Sequence, residues 1–280
     1  MSTITVLHPG QMGAAIAAQA VAAGHQVLWL PEGRSESSRR RAAEAGLLPA
    51  DDLATALEQS EIVISVCPPA AAEEVAAEVA AVPSYTGLYV DANAISPTRA
   101  GSIAHILSEA GATFLDGSII GPPPAASTTA RLYLAGDPVA ARRVAAIFDG
   151  TLVAARCLDR DAGAASALKL AFASYQKAAR TLVGVAHALA DQHGVTAELI
   201  DEGRAMAGPL LADRDYLRTV APRAWRWAPE MRDVADTLVD SGLPADLAHA
   251  AAVVLTRWSS LKDRDDLTVE DVLDALRPTE

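Results

Sequence analysis

Hydrophobic positions in the first half of the chain come in short, β-branched runs, each followed by a segment with helical spacing. Thr3 to Leu7 is the first run, and the turn His8-Pro9-Gly10-Gln11-Met12-Gly13 follows it. A small-residue helix is predicted from Gly13 to Ala23, closed by Gly24. Strand-like runs recur at Gln26 to Leu30, Ile62 to Val66, Leu88 to Val90, Thr113 to Leu115, Arg131 to Ala135 and Thr151 to Ala154. Helical patterns separate them at Ser35 to Ala45, Asp51 to Gln59, Ala70 to Ala81, Pro97 to Ala110 and Pro138 to Phe148. Strands alternating with helices predict an α/β fold: a doubly wound, mostly parallel sheet with helices on both faces.

The pattern changes at Asp159-Arg160-Asp161, after which no strand-like run is found. Asp161 to His193 reads as one helix of about 33 residues, roughly 50 Å long at the α-helical rise. Its middle is apolar almost all round (Leu168, Leu170, Ala171, Phe172, Leu182, Val183, Val185), which predicts burial between domains or subunits. Further helices are predicted at Ala197 to Ala207, Ala212 to Val220, Trp227 to Ser241, Pro244 to Ser260 and Val269 to Ala275. The expected organisation is therefore a sheet domain over 1–158 and an all-helical domain over 159–280.

Composition narrows the partners. With 51% hydrophobic residues in 280, the chain can bury a large core. Its formal charge of −12 disfavours nucleic acid, which needs a basic face. The single basic cluster, Arg34 to Arg41, is short. Two cysteines, Cys67 and Cys157, make neither a disulfide framework nor a zinc site, so no metal is expected. No apolar run is long enough for a signal core or a membrane span, and the expected place is the cytoplasm.

The turn after the first strand carries the first candidate chemistry. Strand, Gly-rich turn, helix and strand form the opening unit of a dinucleotide-binding fold. Gly10 there lets backbone approach a pyrophosphate, Gly13 lets the helix pack closely, and the N–H groups near Met12 to Ala15 face phosphate charge. G-x-G-x-x-G would place glycine at position 8, where this chain has His8. Either the turn geometry differs or His8 tolerates it. In an open parallel sheet the ligand lies beyond the carboxyl ends of the strands. Besides Gly10 to Gly13, these ends are Cys67-Pro68-Pro69, Asp91-Ala92-Asn93 and the segment Asp116 to Pro124, read here as a stiff loop.

After the second strand, an acidic residue would hold a ribose diol, whereas Arg with Ser would hold a 2′-phosphate. Glu32 stands beyond Pro31, while Arg34 and Ser35 can wrap a phosphate, so NADP is expected over NAD. For Arg39 to Arg41 a plain solvated helix face competes. Lys169 lies in the apolar stretch SALKLAFASYQKA, where a lysine needs a special role or must snorkel outward. Desolvation beside a cationic ring would suit it to proton exchange with a substrate oxygen. Ala173 and Gln176 share its face at helical spacing. Ser166-x-x-Lys169 matches a nucleophile pattern whose partner motifs are missing, and is read as chance. His105, His187, His193 and His249 are expected at surfaces or helix ends. Trp225 and Trp227 are read as helix packing, with a pocket wall as the competing role.

With these residues in view, the chain resembles the β-hydroxyacid dehydrogenase family, which includes the amino-terminal domain of 6-phosphogluconate dehydrogenase. The resemblance covers nearly the whole length. The family's G-x-G-x-M-G resembles His8 to Gly13, with Gly24-His25 after the helix. Its D-x-S-T resembles Asp91 to Ala94, with Asn93 where serine usually stands. Its D-A-P-V-S-G-G resembles Asp116 to Pro122, with Ile120 replacing the serine that binds carboxylate. Its G-x-G-x-x-x-K-x-x-x-N resembles Gly163, Ala165, Lys169 and Ala173, the last replacing asparagine. The departures are similar to a little-characterised, phosphogluconate-dehydrogenase-like branch.

The resemblance implies an NAD(P)-dependent dehydrogenase or reductase with Lys169 as general acid/base. It also implies a small-molecule substrate near Ile119, Ile120, Gly121, Pro122, Ala173 and Gln176, and a homodimer built on the long helix. Cofactor contacts are expected at Gly10, Gln11, Met12, Gly13, Arg34, Ser35, Cys67, Pro68 and Asn93. Two other readings keep the fold: an imine reductase, favoured by a pocket poor in carboxylate binders, and a module that binds NADP without turnover.

Overall fold

The computed structural model describes residues 1–207 and 213–277. The chain forms two units, Met1–Leu170 and Ala171–Glu280. The first begins with β1 (Thr3–Val6), α1 (Gln11–Ala22), β2 (Gln26–Trp29), α2 (Glu36–Glu44), β3 (Leu48–Pro49) and α3 (Leu53–Gln59). It continues with β4 (Ile62–Ser65), α4 (Ala72–Ala80), β5 (Leu88–Asp91), α5 (Pro97–Glu109) and β6 (Thr113–Ile120). The last elements are β7 (Ala130–Gly136), α6 (Pro138–Ile147), β8 (Val153–Cys157) and the start of α7 (Ala164–Gln192).

All eight strands lie in one sheet, ordered β3-β2-β1-β4-β5-β6-β7-β8. Every neighbouring pair is parallel except β6 with β7. From β1 the chain winds one way to β2 and β3, then the other way through β4, β5 and β6, so the switch point lies between β1 and β4. Alternation along β4 explains why the sheet needs cover on both faces. Ile62 and Ile64 join one apolar cluster with Ile4, Ile16, Val90 and Leu115, while Val63 joins the other with Tyr89, Ile103 and Leu107. Helix starts are fixed by side chains that accept the first free N–H groups, Ser35 for α2, Asp52 for α3, Ser96 for α5 and Asp137 for α6.

The structure corrects several sequence expectations. The segment Asp116 to Ile120 is strand, not loop, because β7 pairs antiparallel with it from Leu115↔Gly136 to Ile120↔Arg131. The loop begins only at Gly121, whose φ of 122° suits glycine. The two-residue β3 carries no periodicity to find, and α1 starts at Gln11 rather than Gly13.

The second unit is all helical among its described residues. After the body of α7 come α8 (Thr196–Glu202), a π turn over Gly203–Ala207, α9 (Leu217–Val220), α10 (Ala224–Asp240), α11 (Asp246–Thr256) and α12 (Val269–Asp274). Of the helix expected from Ala212 to Val220, Ala212 lies outside the described residues, and the remainder is a 3-10 turn at Arg214–Tyr216 followed by α9. The long helix is not buried all round. Ala173, Lys177, Thr181 and Val183 face inward, while Tyr175, Leu182 and Leu189 are 69%, 62% and 61% exposed. His187, expected at a surface, is fully buried on α7. No helix among the described residues is long and apolar enough to cross a membrane.

Candidate active site

The carboxyl ends of β1, β2, β4, β5 and β6, with the first turns of α7, carry the candidate residues of the first unit. At β1 the chain turns through His8 to Gly10, with the Gly10 N–H donating to the His8 carbonyl at 2.8 Å. Gly13 follows on α1 so close to that turn that a Cβ there would sit 2.1 Å from the His8 carbonyl oxygen. Close approach thus explains glycine at 13. Gly10 is different: a Cβ there would meet nothing within 4 Å. It forms the N-cap of α1 with no capping side chain, so the helix start keeps N–H groups for an anion. Gln11 is exposed and Met12 half-buried beside this start.

His8 stands where the first fingerprint glycine would, and its backbone does not take a positive φ. Burial, and then the neighbouring Arg34 charge, push its imidazole down to about 4, so the ring is neutral at pH 7. Among the described residues, His8 Nδ1 and Arg34 Nε are buried without a hydrogen-bond partner. An uncapped helix start, an open Gly10 and two unused nitrogens are a fit for a dinucleotide phosphate.

Ser35 serves first as a cap, its Oγ accepting the Ser38 N–H at 3.2 Å. The basic cluster divides by position. Arg40 pairs with Glu44 on the open surface, and Arg39 Nε donates to the Arg34 carbonyl at 3.3 Å. Arg41 instead is half-buried, donating through Nε to the Pro9 carbonyl at 3.3 Å and through Nη2 to Ser38 Oγ at 3.0 Å. It is therefore no solvated face but a brace between α2 and the β1 turn. Sequence spacing did not single it out.

At β4 and β5, two loops are tied together by one amide. Asn93 Oδ1 accepts the Cys67 N–H at 2.6 Å, and Asn93 Nδ2 donates to Ser65 Oγ at 3.2 Å and to Asp91 Oδ2 at 3.0 Å. Asn93 is 3% exposed, with its side chain already engaged. Pro68 stands exposed above it, and the Cys67 thiol is raised by burial. Asp91 is fully buried, which pushes its carboxyl up to about 6 against the hydrogen bonds from Asn93.

At β6 the strand carries Asp116, Ile119 and Ile120, all buried, with Gly121 and Pro122 exposed beyond it. Gly117 allows β6 to lie against β5, since a Cβ there would come 2.9 Å from the Asp91 carbonyl oxygen. Lys169 Nζ donates to the Ile119 carbonyl at 2.9 Å, so the lysine is anchored at the carboxyl end of the sheet rather than snorkelling away. Asp116 was present in the sequence pattern only as the first letter of a loop motif. Its carboxylate accepts hydrogen bonds from Gly163, Ala165 and Ser166 at the start of α7.

Two expected residues lie in the second unit. Ala173 is buried on α7, and Gln176 is half-buried there, its carbonyl accepting from Arg180 at 2.8 Å. In the same unit Lys177, 6% exposed at its side chain, pairs with Glu230 and lies 5.6 Å from the Trp227 ring centroid. Trp225 is covered by Lys262 at 4.0 Å.

Comparison with known proteins follows the same division. A family model described as the NAD binding domain of 6-phosphogluconate dehydrogenase matches residues 3–158. A second, described as a domain of unknown function (DUF1932), matches residues 190–258. No curated protein matches the chain. Among solved structures, a Mycobacterium tuberculosis 3-hydroxyisobutyrate dehydrogenase with L-serine is 23% identical, covering 99% of this chain and 100% of that one at a TM-score of 0.78. A 3-hydroxyisobutyrate dehydrogenase from Salmonella typhimurium is 19% identical, covering 98% and 99% at 0.79. A reductive aminase from Aspergillus terreus, in complex with NADPH and ethyl levulinate, is 21% identical, covering 99% and 100% at 0.61. At these identities the likeness is one of fold.

Proposed function

Because the chain belongs to the NAD-binding-domain family of 6-phosphogluconate dehydrogenase, and so to the NAD(P)-dependent dehydrogenases and reductases, we propose that it uses NADP. Its reaction exchanges hydride with a small hydroxy acid or alcohol, or with the corresponding carbonyl. The observation that carries this reading is Lys169 Nζ, held 2.9 Å from the Ile119 carbonyl at the carboxyl end of the sheet, where nicotinamide chemistry occurs in this fold class.

When bound, the nicotinamide supplies a two-electron hydride donor or acceptor. The chain's own residues do the rest. Gly10 to Gly13 and the open start of α1 bind the pyrophosphate, with Gln11 and Met12 flanking it. Arg34, helped by Ser35, binds the 2′-phosphate, while Arg41 ties α2 to the β1 turn. Cys67, Pro68 and Asn93 shape the wall beside it. Lys169 Nζ gives a proton to the substrate oxygen in reduction and takes one in oxidation. Ile119, Ile120, Gly121 and Pro122 form the apolar wall. Ala173 and Gln176 follow the lysine at four and seven residues along α7. The outward stripe of Phe172, Tyr175, Leu182, Val185 and Leu189 is read as the face taken by a second copy in a homodimer. The proposed place is the cytoplasm, where Cys67 and Cys157 stay thiols.

A second reading, an imine reductase, is favoured by Ile120 and Ala173 at positions where the resembled family carries carboxylate-binding polar groups. The test has two steps. Fluorescence titration with NADPH and NADH is expected to show tighter NADPH binding; NADH preference overturns the NADP assignment. A panel of 3-hydroxy acids with NADP⁺ and cyclic imines with NADPH then follows. Turnover of a hydroxy acid that Lys169→Ala abolishes supports the proposal, imine turnover supports the second reading, and tight binding without any turnover leaves a binding module.

A further inference from the structure

We propose that Asp116 is a positioning residue for Lys169: set in β6, its carboxylate grips the first turn of α7 and so fixes where the lysine amine stands. The inference rests on the reading of Lys169 as the acid/base of the site.

Asp116 is fully buried. Its Oδ2 accepts the backbone N–H groups of Gly163, Ala165 and Ser166 at 2.8, 2.9 and 3.1 Å, and its Oδ1 accepts the Ser166 hydroxyl at 2.6 Å. These N–H groups stand at the start of a 29-residue helix, which cannot satisfy its own first donors. A cap ordinarily comes from the residue next to the helix, whereas this one comes from a strand 47 residues earlier. A full negative charge also sits where the helix dipole is most positive. Gly163 supports the grip: its φ of 100° turns the N–H to the carboxylate, and a Cβ there would lie 3.4 Å from the Pro97 Cβ.

The same strand then holds the lysine. Three residues beyond Asp116, the Ile119 carbonyl accepts Lys169 Nζ at 2.9 Å. Lys169 in turn lies three residues beyond Ser166, one helical turn on. β6 therefore holds α7 twice, at its backbone and at the amine. Burial raises the Asp116 carboxyl while these hydrogen bonds hold it down, and the facing charged group is Asp91, its partner in register on β5.

The chain has only three lysines, Lys169, Lys177 and Lys262. Full-length protein grown with 13Cε-lysine thus gives three NMR signals, assignable by single Lys→Arg variants. In Asp116→Asn the Lys169 signal is expected to shift, with those of Lys177 and Lys262 unmoved. Lys177, buried against Glu230, is the internal control for a merely structural effect. An unmoved Lys169 signal, or all three moving together, overturns the proposal. Should Asp116→Asn not fold, Ser166→Ala decides: it deletes only the hydroxyl donor to Oδ1, and a smaller shift confined to Lys169 is expected, with no shift overturning the idea. The readout needs no substrate. If Lys169→Ala keeps turnover in the panel above, the acid/base reading falls while the measured geometry stands.

Discussion

The amide oxygen of Asn93 accepts the Cys67 backbone N–H at 2.6 Å, joining the end of β5 to the turn after β4. Replacing it removes that acceptor from a half-buried N–H, and two hydrogen bonds to Ser65 and Asp91. Asn93→Ala is therefore expected to cost about 1–3 kcal/mol, read as a lower urea midpoint with unchanged m-value. An unchanged midpoint would mean the tie is not structural. Asn93→Ser, keeping a short polar group, should fall between the two.

Gly13→Ala tests the close approach at the β1 turn. With its new Cβ 2.1 Å from the His8 carbonyl oxygen, either that turn or α1 must move. NADPH affinity should weaken by at least about tenfold, near 1.4 kcal/mol. Wild-type affinity in the variant would show that the cofactor does not use this turn.

Arg34 and Arg41 predict different losses. Arg34→Ala should weaken NADPH binding by roughly tenfold or more, the size of one charge-assisted hydrogen bond, and leave NADH nearly unchanged. Arg41→Ala releases the turn assigned to the pyrophosphate that both cofactors share, and should weaken NADPH and NADH alike. Arg40→Ala, on the open surface beside Glu44, is the control and should change neither. A loss confined to NADPH would place Arg41 in phosphate selection rather than turn stability.

Asp91 predicts an unusual pH slope. Burial raises its carboxyl from 3.8 to about 6. Between these values the folded chain keeps a proton that the unfolded chain releases, so this group's contribution to stability falls as pH rises through the window. Above about pH 6 the difference amounts to roughly 3 kcal/mol, at 1.36 kcal/mol per unit. Urea unfolding at pH 4 and pH 7 should show wild type losing stability relative to Asp91→Asn by that order. Parallel pH profiles for the two proteins would remove Asp91 as the cause.

The buried pair Lys177 and Glu230 offers a stability test of the helical unit. Lys177 and Glu230 side chains are 6% and 15% exposed. Removing the carboxylate, as in Glu230→Leu, takes the buried counter-charge from Lys177 and should cost about 3–5 kcal/mol. The double variant Lys177→Met, Glu230→Leu should recover most of it; no recovery would mean the cost comes from packing.

How much of this was legible in the sequence depended on range. The β1–α1–β2 unit and the alternation of strand and helix are local, so periodicity and Gly positions were enough. Lys169 stood out because a charge in an apolar helix is locally anomalous. The roles of Asp116 and Arg41 did not, because each acts on backbone that is remote in sequence: 47 residues separate Asp116 from Gly163, and 32 separate Arg41 from Pro9. The strand character of Asp116 to Ile120 was hidden for the same reason. Gly117 and the prolines after Gly121 signal a loop locally, and only pairing with β7 makes the segment a strand. The outward apolar stripe of α7 illustrates the reverse limit, since composition gives a helix's apolar content but not which side its own chain covers.

The antiparallel pairing of β6 with β7 sets how this site can change over evolutionary time. A loop at the end of a strand tolerates insertions, but here Asp116 to Ile120 is locked in register from Asp116↔Ala135 to Ile120↔Arg131. Adding or deleting one residue would turn every following side chain to the opposite face of the sheet. It would also take the Ile119 carbonyl away from the turn of α7 that Asp116 holds. The wall beside Lys169 is thus free to vary in chemistry but not in length. New substrates would be reached by exchanging side chains such as Ile120, at a ruler kept constant by the ribbon.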